Sequence, residues 1–136
     1  MAANYASRPL KNYGWISSGF GDLRGRLTPH QGADWPAPTG TVIRAIASGR
    51  VIDKGSDDRV YGNWVKLRTR KGHEYLVGHM QNPTKLKIGA WRFMFWRIGF
   101  VGQSGMATGP HCHISLWQKI NGRLVLVDPV KFIRTH

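Results

Sequence analysis

Asn121-Gly122 is the feature that most narrows what this chain can become. An Asn-Gly pair between two apolar runs supplies the positive-φ positions that a two-residue hairpin turn requires. The runs on either side, residues 114–120 and 123–127, are therefore expected as antiparallel neighbours. Upstream, the first run continues back to His111-Cys112-His113, delivered by a glycine-rich loop over residues 102–110. Strand side chains alternate between faces, so His111 and His113 point one way and Cys112 the other. Two imidazoles are thereby presented to one small volume. Cys112 is expected to be a small buried hydrophobe beneath them.

The rest of the chain reads as more short strands. Residues 14–21 suggest a strand ending in a glycine turn, and residues 22–29 a polar loop. Pro29, Gly32 and Pro36 argue against a helix, so His30 and Asp34 sit on a loop leading into a short strand. Residues 41–47 and 50–54 are apolar runs joined at Ser48-Gly49. Over residues 63–70, Trp64, Lys66, Arg68 and Arg70 share one side, with Val65, Leu67 and Thr69 on the other. Lys71-Gly72 is expected as a two-residue connection into a strand that ends at His79. Asp128-Pro129 should cap one helical turn over residues 130–133. With 17 Gly and 7 Pro among 136 residues, turns are plentiful, and the expected class is mainly β, built on an antiparallel sheet core. Residues 1–13 read as an N-terminal arm anchored by Tyr5 and Tyr13, and residues 14–136 as one domain.

Charge restricts the partners. Twenty Lys and Arg oppose seven Asp and Glu, a net +13 spread along the chain rather than gathered in a tail. A broad cationic surface of this kind implies an anionic partner, such as a polyanionic cell wall or an anionic membrane, held by an attraction that salt weakens. A nucleic-acid binder has the charge in its favour but no recognisable module. Residues 91–97 are the most aromatic stretch. They are expected to form a core strand with Trp91, Phe93 and Phe95 inward, leaving Arg92, Met94 and Trp96 outward beside Arg97 as an envelope contact. One cysteine permits neither an internal disulfide nor a cysteine-based zinc site. The N-terminus has no apolar stretch of secretory type, so action outside the cytoplasm would need another route of release.

His30-x-x-x-Asp34, His79 and His111-x-His113 together offer four imidazoles and one carboxylate from three separated segments. Each lies at a strand end or turn, where side chains can converge. Two histidines and an aspartate suit a catalytic zinc ion, which takes three protein ligands and keeps a fourth position for water. Two further histidines then remain for proton transfer and oxyanion stabilisation. The lone glutamate, Glu74, lies in a hairpin and no HExxH motif exists, so a glutamate base of that type is absent. His73 and His136 are expected at solvent positions, Arg24 is a candidate oxyanion contact or a solvated arginine, and Asn63 serves a strand start.

With those motifs in this order, the sequence resembles the lysostaphin/LytM-type zinc metallopeptidases, which are peptidoglycan endopeptidases with HxxxD and HxH signatures. The resemblance runs from about Ser17 to Pro129. It rests on Ser17-Ser18-Gly19-Phe20-Gly21, His30-Gln31-Gly32-Ala33-Asp34, Gly78-His79-Met80, Ser104-Gly105-Met106-Ala107-Thr108-Gly109-Pro110-His111-Cys112-His113 and Asp128-Pro129. It implies one zinc ion held by His30, Asp34 and His113, with His79 and His111 as the catalytic pair. It also implies a β-sheet core with loops walling a groove, acting as a monomer on bacterial cell-wall peptidoglycan, and its compactness suggests a phage-type lysin. A catalytically inactive relative that binds peptidoglycan or regulates a hydrolase is the alternative, and retention of all five residues argues against it. Two departures matter. Ser115 stands where an acidic-flanked tail is usual, and Phe93-Met94-Phe95-Trp96 overwrites a glycine-containing turn.

Overall fold

A computed structural model describes residues 5–136. Among the described residues, nine strands and one helix follow one another: β1 (Ala33–Pro36), β2 (Val42–Arg44), β3 (Gly49–Asp58), β4 (Gly62–Thr69), β5 (Glu74–Met80), β6 (Trp91–Arg92), β7 (Arg97–Phe100), β8 (His111–Ile120), β9 (Arg123–Val127) and α1 (Pro129–Thr135). Seven strands form one sheet in the order β1-β8-β5-β4-β3-β6, with β9 also on β8, and β2 pairs with β7 in a second, two-stranded sheet. All pairings are antiparallel. The expected mainly-β architecture stands.

Strand β8 organises the sheet because its ten residues serve three neighbours. Its first half pairs with β1, its second half with β9, and its other edge with β5. The β8–β9 turn is the expected one: Asn121 and Gly122 both adopt positive φ, 51° and 77°, which matches the right-handed twist of the strands. Alternation in β4 also holds, with Val65, Leu67 and Thr69 buried. These side chains join Val51, Tyr75, Val77, Ile114 and Leu116 in the core, where the Tyr75 hydroxyl donates to the Ala47 carbonyl at 2.9 Å. Cys112 is fully buried, as alternation requires. Asp128 caps α1 by accepting from the Val130 amide at 2.9 Å, and the helix runs longer than the single turn expected.

Other expectations are corrected. Residues 14–21 form no strand, because only Ser18 bridges the main sheet, opposite Asp34. The β4–β5 connection takes four residues, 70–73, not two. Thr69 and His73 are hydrogen-bonded across it, and Gly72 takes φ 89° within it. His73 is buried rather than solvated: its Nδ1 accepts from the Lys119 amide, and its ring meets Phe132 edge-on. His136 stacks on the same Phe132, with ring centroids 3.9 Å apart. Of the arm, residues 1–4 lie outside the described residues. Tyr5 packs as an anchor, Leu10 is fully buried, and Tyr13 is exposed.

The largest correction concerns residues 91–97. Trp91 and Arg92 form β6 and Arg97 begins β7, while residues 93–96 form a turn that leaves Phe93, Phe95 and Trp96 about half exposed. Phe95 takes φ 75°, the left-handed region that glycine would occupy without cost. That conformation costs a bulky L-residue about 1–2 kcal/mol, while glycine gives back about 0.5–1 kcal/mol through unfolded-state entropy. Phe95→Gly is therefore expected to stabilise the fold by about 0.5 kcal/mol. A urea melt showing a loss above about 1 kcal/mol would mean that the ring contributes packing its exposure does not suggest.

Candidate metal centre

Strand register assembles the site. Asp34 on β1 lies directly opposite His113 on β8, and the two side chains meet with Nδ1 and Oδ1 2.8 Å apart. His111, two residues earlier, shares the face of His113, and its Nε2 is 3.6 Å from the same Asp34 oxygen. Across β8, His113 lies opposite Gly78 on β5, so the next residue, His79, sits beside the site one residue before that strand ends at Met80. His79 holds φ 58°, left-handed for a non-glycine residue. Strain of this kind persists where surrounding contacts over-determine it.

His30 comes from the loop preceding β1. Its backbone is clamped by two hydrogen bonds, Gly21 amide to His30 carbonyl and His30 amide to Asp22 carbonyl. Its Nε2 lies 3.4 Å from His113 Nδ1 and 3.5 Å from Asp34 Oδ1. Gly32 permits this closeness, because a Cβ there would collide with the Ile114 carbonyl and the His113 ring. His30, Asp34 and His113 are all buried, and their donor atoms lie within 4.8 Å of one another.

Each imidazole has its other nitrogen occupied. His30 Nδ1 faces the Ser18 hydroxyl at 3.0 Å and the Gly19 carbonyl at 3.2 Å. Ser18 in turn donates to Asp22, which Arg24 grips. His113 Nε2 lies 2.8 Å from the fully buried Ser115 hydroxyl. His79 Nδ1 donates to the Ser104 carbonyl at 2.7 Å, and His111 Nδ1 to the Gly109 carbonyl at 2.8 Å. In both of these the tautomer is thereby set, leaving Nε2 with its lone pair. The His79 and His111 rings are neighbours, with centroids 4.6 Å apart.

Electrostatics favour neutral His79 and His113 imidazoles beside an ionised Asp34 carboxylate. Burial alone would raise the Asp34 pKa, but hydrogen bonds from His113 and His30 and the electrostatic pull of His113 and His111 hold it well below the usual carboxylate range. Burial lowers the His113 pKa against the pull of Asp34. Burial likewise lowers His79, to about 4, opposed by its hydrogen bond to Ser104. These are the protonation states that metal ligation and base catalysis require.

A groove of ≈470 Å³ opens over these groups, bordered by Arg26, Leu27, Val60, Tyr61 and Met106. Leu27, Val60 and Met106 are exposed, so the rim is apolar. The Arg26 guanidinium lies 3.7 Å from the second Asp34 oxygen. All five residues singled out by sequence therefore converge. Arg24 does not join them: its guanidinium is held by Asp22 and the Ser17 carbonyl. Asn63 ties the start of β4 to the end of β5 through the Met80 carbonyl. Sequence reasoning assigned no role to Ser115 or Ser18. For Ser115 a signal existed, since positions 111, 113 and 115 share one strand face. For Ser18 none did.

Comparison with known proteins points the same way. A model of peptidase family M23 matches residues 28–128. The DD-carboxypeptidase/endopeptidase Mpg of Neisseria meningitidis is 38% identical over 124 residues, covering 83% of this chain and 26% of that protein. The peptidoglycan DD-endopeptidase ShyC of Vibrio cholerae is 34% identical over 104 residues, covering 72% of this chain and 23% of that protein. This chain thus spans about a quarter of the length of these curated relatives. Among solved structures, the catalytic domain of the antimicrobial peptidase lysostaphin from Staphylococcus simulans superposes with a TM-score of 0.77 at 27% identity. That match covers 90% of this chain and 93% of that one.

Proposed function

The chain belongs to peptidase family M23, and from that premise we propose that it is a zinc endopeptidase hydrolysing peptide bonds in bacterial peptidoglycan. The observation that carries the reading is the buried His30–Asp34–His113 cluster, with the imidazoles of His79 and His111 beside it under an open groove. The named relatives act on peptidoglycan or carry DD-peptidase names, and a cationic surface of net +13 suits an anionic wall.

The donor set fits zinc. Tetrahedral Zn–N and Zn–O bonds of about 2.0–2.1 Å place donors about 3.3 Å apart, and the three separations here are 2.8, 3.4 and 3.5 Å. His30 through Nε2, Asp34 through a carboxylate oxygen and His113 through Nδ1 would be the ligands. When bound, the ion supplies Lewis acidity, polarising the scissile carbonyl and acidifying a water.

Beside that centre, His79 and His111 carry the protons. Their Nδ1–H groups are tied to Ser104 and Gly109, so a free Nε2 can take a proton from the attacking water as the new C–O bond forms. The resulting imidazolium donates that proton to the amide nitrogen as the C–N bond breaks. While protonated it also faces the oxyanion. The strained backbone of His79 and the strand position of His111 aim both rings without substrate-dependent rearrangement.

The hydroxyls of Ser115 and Ser18 orient the ligands from behind. Such partners are worth about 10- to 100-fold in metal affinity. Ser115→Ala is expected to weaken zinc binding by about tenfold in a competition titration against a chromogenic chelator, with the fold intact. Unchanged affinity would reduce Ser115 to a packing residue.

Digestion of purified sacculi, followed by mass spectrometry of the released fragments, tests the proposal itself. Peptide bonds should be cut while glycan strands stay intact, and chelation should stop the release. Cleavage of glycan, or adsorption without release, would replace it with a glycosidase or binding role.

A further inference from the structure

The turn at residues 93–96 is unlike its surroundings. Phe93, Phe95 and Trp96 are 48%, 53% and 48% exposed, although rings of this size are usually buried. They form a continuous tip, with Phe93 5.0 Å from Trp96 and 5.9 Å from Trp91. The turn is firmly built. The Phe95 amide donates to the Ala45 carbonyl, the Ala45 amide to the Trp96 carbonyl, and the Met94 amide to the Ser48 hydroxyl. Phe95 holds its left-handed φ while showing its ring to solvent. Strained residues of this kind concentrate where a function retains them.

Cations surround the tip. The Arg92 guanidinium lies over the Trp96 ring at 4.9 Å, and Arg97 over Phe100 at 5.5 Å. Arg44 donates to the Phe95 carbonyl at 3.1 Å and, with Arg8, Lys11 and Phe95, lines a concavity of ≈550 Å³. The carboxylates of Asp22, Asp34 and Glu74 pair instead with Arg24, Arg26, Lys66 and Arg68, which lie outside this collar.

We propose that this aromatic tip with its cationic collar is a docking surface for anionic phospholipid, the rings entering the headgroup boundary and the arginines meeting phosphates. A polyanionic wall polymer would satisfy the arginines yet leave three rings in water. A lipid interface accommodates both, since Trp and Phe favour the boundary depth and each basic residue adds attraction to an anionic leaflet. The geometry leaves catalysis free. β7 and then Val101 lead from this turn to Gly102, which bridges His111, so about 20 Å of extended chain lies between the tip and the metal centre. The inference is independent of the peptidase reading.

Co-sedimentation with phosphatidylglycerol-containing vesicles, against pure phosphatidylcholine vesicles, is the test. The parent chain should prefer the anionic vesicles, and the F93S/W96S double variant should lose about tenfold or more of that binding. F95G should lose binding too, and because that change is expected to leave stability intact, unfolding cannot explain the loss. Hydrolysis of soluble muropeptides should be unchanged in all variants. Failure of the parent to bind anionic vesicles overturns the proposal, as does equal binding by the variants. Loss of binding to lipid-free sacculi in the variants would overturn it in favour of a wall polymer.

Discussion

His113→Ala is expected to weaken zinc binding by about two to three orders of magnitude and to lose hydrolysis with it. His113 is the hub of the cluster, 2.8 Å from Asp34 and 3.4 Å from His30. Four-ligand zinc sites bind with about 10–16 kcal/mol, so each ligand accounts for about 3–4 kcal/mol and its loss for two to three orders of magnitude in affinity. Removal also deprives a buried carboxylate of its shortest partner, so thermal melts of both proteins without metal should accompany the zinc measurement. A His113→Ala protein that kept one zinc per chain by native mass spectrometry would refute the ligand assignment.

His111→Ala should behave differently. Its Nε2 lies 3.6 Å from Asp34, but its neighbour is His79, and the His30–Asp34–His113 donor set is complete without it. Zinc should be retained at one per chain while turnover falls by about 10²- to 10⁴-fold, the usual contribution of a positioned acid–base group. Loss of zinc in this variant would make His111 a ligand and leave His79 as the one free imidazole at the centre. The same-face pair on β8 thus divides into two roles that a single strand presents side by side.

The site was more legible in the sequence than the scaffold that carries it. Alternation alone put His111 and His113 on one face, and Asn121-Gly122 announced the hairpin through the φ values that pair can adopt. Asp128-Pro129 announced the helix through cap chemistry. What escaped depended on distant partners. His73 reads as a hairpin residue, and the packing of Tyr5 from the N-terminal arm and Phe132 from the C-terminal helix buries it. The Ser18 bridge to Asp34 joins positions with no periodic signature. Residues 91–97 carry the apolar content of a core strand, yet Phe95 takes a conformation that its own side chain disfavours, and the chain turns there. Local preference lost to the fixed register of β2 with β7 and to the bonds from Ala45.

Zinc titration of chelator-stripped protein, with peptide hydrolysis in purified peptidoglycan as the readout, tests the zinc-peptidase assignment most directly. Hydrolysis should be absent without metal and rise in proportion to added zinc until a plateau at one ion per chain. Full activity in the stripped protein, or no activity at any zinc level while the protein binds the ion and the wall, would contradict it.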